Sequence, residues 1–306
     1  MNSSHNKSTI SPSEAVDSIE DIAGTHPGYR RAHAKGIGFN AIFTPNNNAA
    51  PFTQAAFLTG APSKAIVRFS HSSPIPTMSE QLVPIKGMAV QFQLQDNEVV
   101  SLVMANVPIF PTKTPEAFMR LIQAVGASGQ SWKEKLKTLS QDTEFKTLPS
   151  LLKQLKTPAS FATTTYWAIH AYILETASGD QQAVRFSFDS ASKERALPFS
   201  TKNMEQELLE RMSDSQVHFR LLMTLGAPDD PTDDPSLAWP KDRLVIDVGD
   251  LVLIEKRSDN AEKHLFNPTF ETPGFNCSDD PVLLYRSNLY KVSYRRRTYE
   301  SDSPRS

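Results

Sequence analysis

AIVRFS at 65–70, MAVQFQL at 88–94 and VVSLVMA at 99–105 are short runs rich in β-branched and aromatic residues, separated by Pro, Gly, Asn and Ser. That punctuation predicts consecutive strands of an antiparallel meander, with AIF at 41–43 as an earlier member. From Thr114 the spacing becomes helical. PEAFMRLIQAV at 115–125, WKEKLKTLSQ at 132–141 and LPSLLKQLK at 148–156 place apolar residues three and four apart. Strands are expected again over YWAIHAYILE at 166–175, QAVRFSFDS at 182–190 and RLVIDVGDLVLIE at 243–255, with a helix over MEQELLERMSDSQVHFRLLMTL at 204–225. Two strand sets with helices inserted between them predict an α+β barrel rather than a doubly wound sheet.

The ends differ from this middle. Residues 1–20 are rich in Ser, Asn and Thr and read as a flexible arm, as does the tail 301–306; residues 21–300 read as one domain. Before the tail, a helix is expected from Pro281, with Asp279 and Asp280 suited to its N-terminus. With 32 basic and 34 acidic residues the chain is nearly neutral, which argues against nucleic acid or an anionic membrane as partner and for a small molecule. Its single cysteine, Cys277, excludes an intramolecular disulfide and fits a reducing compartment. A cytoplasmic location is expected, or a periplasmic one if a signal peptide preceded this sequence.

Three places could carry chemistry. On the C-terminal helix Arg286 and Tyr290 stand four apart, one turn from each other on one face. A guanidinium beside a phenol stabilises the phenolate, which is a metal ligand; an ordinary surface contact would have the same spacing. In YRRAHAKGIGFNAIF at 29–43, His33 follows Arg30 by three residues. A histidine there could do general acid–base work or sit solvated in a loop. Arg68 is a charge in the middle of an apolar strand and needs an anionic partner, a cofactor carboxylate or an internal one.

Taken in order, these segments resemble the haem catalase superfamily from about Gly28 to Arg297. RRAHAKG is similar to the segment carrying the distal histidine, here His33. IVRFSHSS is similar to the strand supplying a propionate-binding arginine and a serine bonded to that histidine, here Arg68 and Ser70. KGMAVQF at 86–92 and VPIFPTKTPEAF at 107–118 continue the resemblance and bring Phe110 and Phe118 to the positions of distal-pocket phenylalanines. TYWAIHAY at 165–172 places His170 at a histidine the family also has, and AWPKDRLVIDVGDLVL and FNPTFETPG follow. RSNLYKVSYRRR then supplies Arg286, Tyr290 and a later propionate arginine, Arg297. The resemblance implies a catalase-like antiparallel β-barrel enclosing haem b, with Tyr290 as iron ligand and Arg30, Arg68, Phe118, Arg286 and Arg297 around the cofactor. The chain is shorter than ordinary catalases, so the small catalase-related peroxidases are the better likeness, and no NADPH site is carried over. A homodimer is compatible with this likeness.

One departure bears on activity. Catalases carry two adjacent asparagines before the segment similar to VPIF, the first on the distal side; here the pair reads Ala105 and Asn106. A one-residue shift of the strand end would let Asn106 supply the amide instead. Ala32, before the distal histidine, stands where many catalases have valine. The resemblance therefore implies a peroxidase using hydrogen peroxide or organic hydroperoxides with an organic electron donor and weak catalase activity at most. Two alternatives remain: a fatty-acid hydroperoxide isomerase or lyase of the allene-oxide-synthase type, and a non-catalytic carrier of haem or a lipophile.

Overall fold

A computed structural model describes residues 10–126, 131, 134–135, 137, 139, 143–145, 148–191, 203–259 and 261–302. Its strands are β1 Gly36–Pro45, β2 Ser63–His71, β3 Lys86–Gln93, β4 Val99–Ala105, β5 Tyr166–Trp167, β6 Tyr172–Glu175, β7 Gln181–Ser190, β8 His218–Leu225, β9 Val245–Lys256 and β10 Phe275–Cys277. All pair antiparallel, and β7-β5-β4-β3-β2-β1-β9-β8 closes into a barrel because β8 pairs back onto β7, while β6 and β10 extend the sheet at one side. Closure removes the exposed edges that an open sheet of this size would have.

Alternation along the strands decides what lies inside. Val67, Phe69, Met88, Val90, Phe92, Leu102 and Met104 point to one face and join a single apolar cluster with Phe186, Phe188, Phe219 and Phe275. Aromatic rings meet within it both edge-on, as in Phe43 and Phe92 at 5.1 Å between centroids, and stacked, as in Tyr172 and Phe275 at 4.7 Å. The opposite face of β2, β3 and β4 carries Arg68, Ser70, Gly87 and Ala105. Functional side chains thus occupy the outer side of a sheet whose inner side is the core.

The helices are α1 Pro12–Ala23, α2 Ala56–Thr59, α3 Pro115–Gly126, α4 Leu148–Gln154, α5 Met204–Asp214 and α6 Pro281–Asp302; Phe57 and Leu58 of α2 and Met204 and Leu208 of α5 join the inner cluster. Asp280 begins α6, its Oδ1 accepting from the backbone N–H of Val282 and Leu283 at 2.8 and 3.2 Å; Asp279 makes no such cap. The helix expected over 132–141 lies largely outside the described residues, and so do residues 1–9 and 303–306.

Four expectations are revised. Residues 12–20, expected to be flexible, belong to α1, which begins with a capping box between Ser11 and Glu14 and buries Ala15, Val16 and Ile19. At the other end α6 runs through Ser301 and Asp302. The helix expected over 204–225 stops at Asp214; HFRLLMTL buries alternate residues and forms β8. Finally, the strand expected over 166–175 is broken, because Ile169 takes φ +67° and the His170 N–H turns back to the Ala168 carbonyl at 2.7 Å. A left-handed conformation at a β-branched residue costs energy; here it aims His170 at α6.

Candidate functional site

His33 lies in the loop before β1 at φ +55°, where the His33 N–H donates to the Ser72 carbonyl and the Ala34 N–H to the Ser73 carbonyl, on the turn after β2. Its Nδ1 is 2.9 Å from Ser70 Oγ. The ring rests on Gly87, where an added Cβ would come within 2.7 Å of His33 Nδ1 and 2.8 Å of Ser70 Oγ. Ser70, Gly87 and Ala105 are direct cross-strand partners, so position 105 shares the face on which His33 sits. Asn106 points elsewhere: its Oδ1 accepts from the Lys86 N–H at 2.8 Å and its Nδ2 donates to the Pro84 carbonyl at 3.2 Å. Both ends of that amide are committed to backbone. Burial, with the charges of Arg68 and Arg286, pushes the His33 pKa down to about 3, so the imidazole is neutral at ordinary pH. The residue as a whole is half-buried.

A second chain of bonds runs through α6. The Arg286 guanidinium donates to the Tyr290 phenol oxygen through Nε, at 3.2 Å, and through Nη2, while Nη1 lies 2.6 Å from His170 Nε2. An always-charged donor there makes Nε2 the acceptor, which puts the His170 proton on Nδ1, 2.6 Å from Asp280 Oδ2. His170 is fully buried; burial and Arg286 hold its pKa below the usual histidine range against the pull of Asp280. The order Asp280–His170–Arg286–Tyr290 therefore passes a fixed orientation to the phenol oxygen. Phe110 belongs to this side. Its ring is 4.8 Å from Phe118 and 6.1 Å from His170, with the Arg286 guanidinium 6.0 Å from its centroid.

Arg30, Arg68 and Arg297 form a third group around one carboxylate, Glu262. Arg68 Nη2 is 2.6 Å from Oε1, Arg30 Nε is 2.7 Å from Oε2 in a contact without hydrogen-bond alignment, and Arg297 Nε is 3.9 Å away. Backbone carbonyls take up further N–H groups: His33 and Ala34 for Arg68, His264 for Arg30, Glu262 and His264 for Arg297. Burial lowers the Arg68 pKa to about 10 and, together with the charges of Arg30 and Arg68, the Arg297 pKa to about 9. Burial alone would raise the Glu262 pKa, yet the guanidiniums hold it below the usual range. Three guanidiniums thus share one carboxylate among the described residues, leaving a positive excess that suits a dianion. The two carboxylates of a haem fit that excess, and Tyr290, on the same helix as Arg297, offers the phenol oxygen that a ferric iron would take.

Sequence reading had named His33, Ser70, Arg30, Arg68, Phe110, Phe118, Arg286, Tyr290 and Arg297, with Ala105 and Asn106 as rivals. The structure joins all but Asn106 to one of these three groups. Asp280 was legible only as a helix start, and Glu262 and Gly87 gave no signal, since their roles depend on contacts far apart in sequence. No group of three or more His, Cys, Asp or Glu able to hold a metal occurs among the described residues, and no helix there is long and apolar enough to cross a membrane.

Comparison with known proteins agrees with the architecture. A catalase-related peroxidase from Mycolicibacterium paratuberculosis is 31% identical over 300 residues, covering 94% of this chain and 95% of that protein. Another, from Synechococcus elongatus, is 29% identical over 302 residues, covering 94% and 89%. Catalase A from Saccharomyces cerevisiae superposes with a TM-score of 0.78 at 20% identity over 93% of this chain, which spans 64% of the yeast chain. A fungal catalase gives 0.77 at 20% identity, with 94% and 63% covered. With an antiparallel barrel of this topology, and with the catalase family profile matching residues 8–220, the chain belongs to the catalase family.

Proposed function

We propose that the protein is a haem peroxidase that reduces hydrogen peroxide or organic hydroperoxides at the expense of a small organic donor. Haem b would be held by Tyr290 through its phenol oxygen and by Arg30, Arg68 and Arg297 at its carboxylate edge. When bound, it supplies the two-electron redox chemistry of O–O cleavage. His33 is the proton carrier: the low pKa keeps its ring neutral, and with Nδ1–H donating to Ser70 Oγ, Nε2 is the nitrogen left to take a peroxide proton. Arg286 donates two N–H groups to the Tyr290 oxygen and so fixes its position.

The observation that carries the peroxidase reading, as against a catalase, is the row Ser70, Gly87, Ala105. Position 105 lies on the same sheet face as Gly87, against which His33 rests, and carries only a methyl group, while the neighbouring amide of Asn106 is spent on Lys86 and Pro84. A second hydrogen peroxide therefore lacks an amide to hold it beside His33, whereas electrons from a larger donor need no such group. Protein reconstituted with hemin should oxidise phenolic or diammonium dyes well and evolve oxygen slowly, and Ala105→Asn should raise oxygen evolution relative to dye oxidation. Oxygen evolution at a full catalase rate in the wild type, lost in Asn106→Ala, would contradict the assignment. Conversion of a fatty-acid hydroperoxide without consumption of donor would replace it by the isomerase reading.

A further inference from the structure

Glu262 sits in the turn Ala261–Lys263, and Arg30 and Arg68 converge on it at 2.7 and 2.6 Å. All three arginine Nη1 groups make no hydrogen bond to described residues, so one amino group on each remains for another anion. Counting formal charges, the cluster carries two excess positive charges before a dianion arrives and none afterwards. Neutralising Glu262 would take it from +2 to +3 without the dianion and from 0 to +1 with it. Electrostatic self-energy grows roughly as the square of net charge, so the first change is roughly fivefold costlier than the second. We infer that Glu262 is an internal counter-charge that lets the arginine cluster fold before haem is bound, at the expense of haem affinity. It is a positioning residue rather than a catalytic one, and the inference rests on the haem reading above.

The consequence runs against the usual expectation for a residue lining a cofactor site. Glu262→Gln should destabilise the protein without haem and tighten the binding of haem, because a change that harms the empty state more than the loaded one increases their difference. The test measures thermal unfolding of wild type, Glu262→Gln and Glu262→Asp, each with and without hemin, and titrates hemin by its Soret absorbance. In Glu262→Gln the haem-free melting temperature should fall by roughly 5 °C or more, the hemin-loaded one by less than half of that. Hemin dissociation should become several-fold tighter, with Glu262→Asp, which keeps the charge, near wild type. If Glu262→Gln does not fold alone, adding hemin during refolding should rescue it. Equal loss with and without hemin, weaker hemin binding, or failure of rescue while wild type takes up hemin would overturn the counter-charge role. A wild type that takes up no hemin would instead overturn the haem reading, and this inference with it.

Discussion

Gly87 shows how much a single missing side chain contributes. The imidazole of His33 occupies the space that any Cβ at position 87 would fill, and Ser70 Oγ closes the same space from the next strand. Gly87→Ala should leave the barrel intact but displace the ring by a fraction of an ångström or more. Misplacement on that scale can lower a rate by about 10²-fold. Stopped-flow mixing of the hemin-loaded variant with peroxide checks this: the first spectral change should slow by about that factor with an unchanged far-ultraviolet circular dichroism spectrum. The pH dependence of the same step reports on His33 directly. A proton acceptor with a pKa pushed down to about 3 is competent across neutral and mildly acid pH and fails only as pH approaches 3. An inflection near the ordinary histidine value of about 6.5 would show that the ring is far less buried and less crowded by arginines than its surroundings require. The stability linkage has the same origin. The unfolded chain binds a proton on His33 below about pH 6.5 while the folded one does not, so stability rises with pH from about 3 to about 6.5. His71, buried and with its pKa down to about 4, adds to that slope over the upper part of the window.

Among the elements, α1 is the one whose importance the amino-acid composition concealed. Residues 1–20 together are rich in Ser, Asn and Thr and so read as an arm. The residues it buries are Ala15, Val16 and Ile19, and Ala15 and Val16 pack with Met119 of α3 and Leu289 of α6, with Tyr290 at the margin. Arg296 of α6 reaches Asp17 and Glu20 at 2.7 and 2.8 Å. A short helix that buries one narrow stripe is easily missed by periodicity alone. Removing two methyl groups in Val16→Ala should cost about 2 kcal/mol and loosen the helix that bears Tyr290. Urea unfolding should register the loss, and a variant as stable as wild type would show that α1 does not support the site. The revision at β8 has a related cause. MEQELLERM has helical spacing and HFRLLMTL alternates, but no glycine or proline separates them, so only the barrel's demand for a strand beside β7 and β9 decides the boundary. The break at Ile169 was not legible at all, since nothing in YWAIHAY announces a left-handed residue.

At the scale of the whole molecule, what could be read was the order of motifs, and what could not was their convergence. Strand punctuation gave the meander β2, β3 and β4 within one or two residues, and the i,i+4 pair on α6 was visible as a pair. Its connection through His170 to Asp280 was not, since those residues come from a broken strand and a helix start 110 positions apart. Charge behaved similarly. A nearly neutral chain conceals a buried excess of positive charge at Arg30, Arg68 and Arg297, assembled from the loop before β1, from β2 and from α6. The barrel brings them to one end of the outer face, with His33 beside them and α6 across from it. The proposed haem would meet that excess of charge with its two carboxylates and Tyr290 with its iron. The absorption spectrum of hemin-titrated wild type and Tyr290→Phe tests this most directly. Wild type should bind one hemin with a tyrosinate-ligated ferric spectrum, and Tyr290→Phe, still folded by circular dichroism, should lose that spectrum together with most of its hemin affinity. Identical hemin content and spectrum in the two proteins would contradict the account.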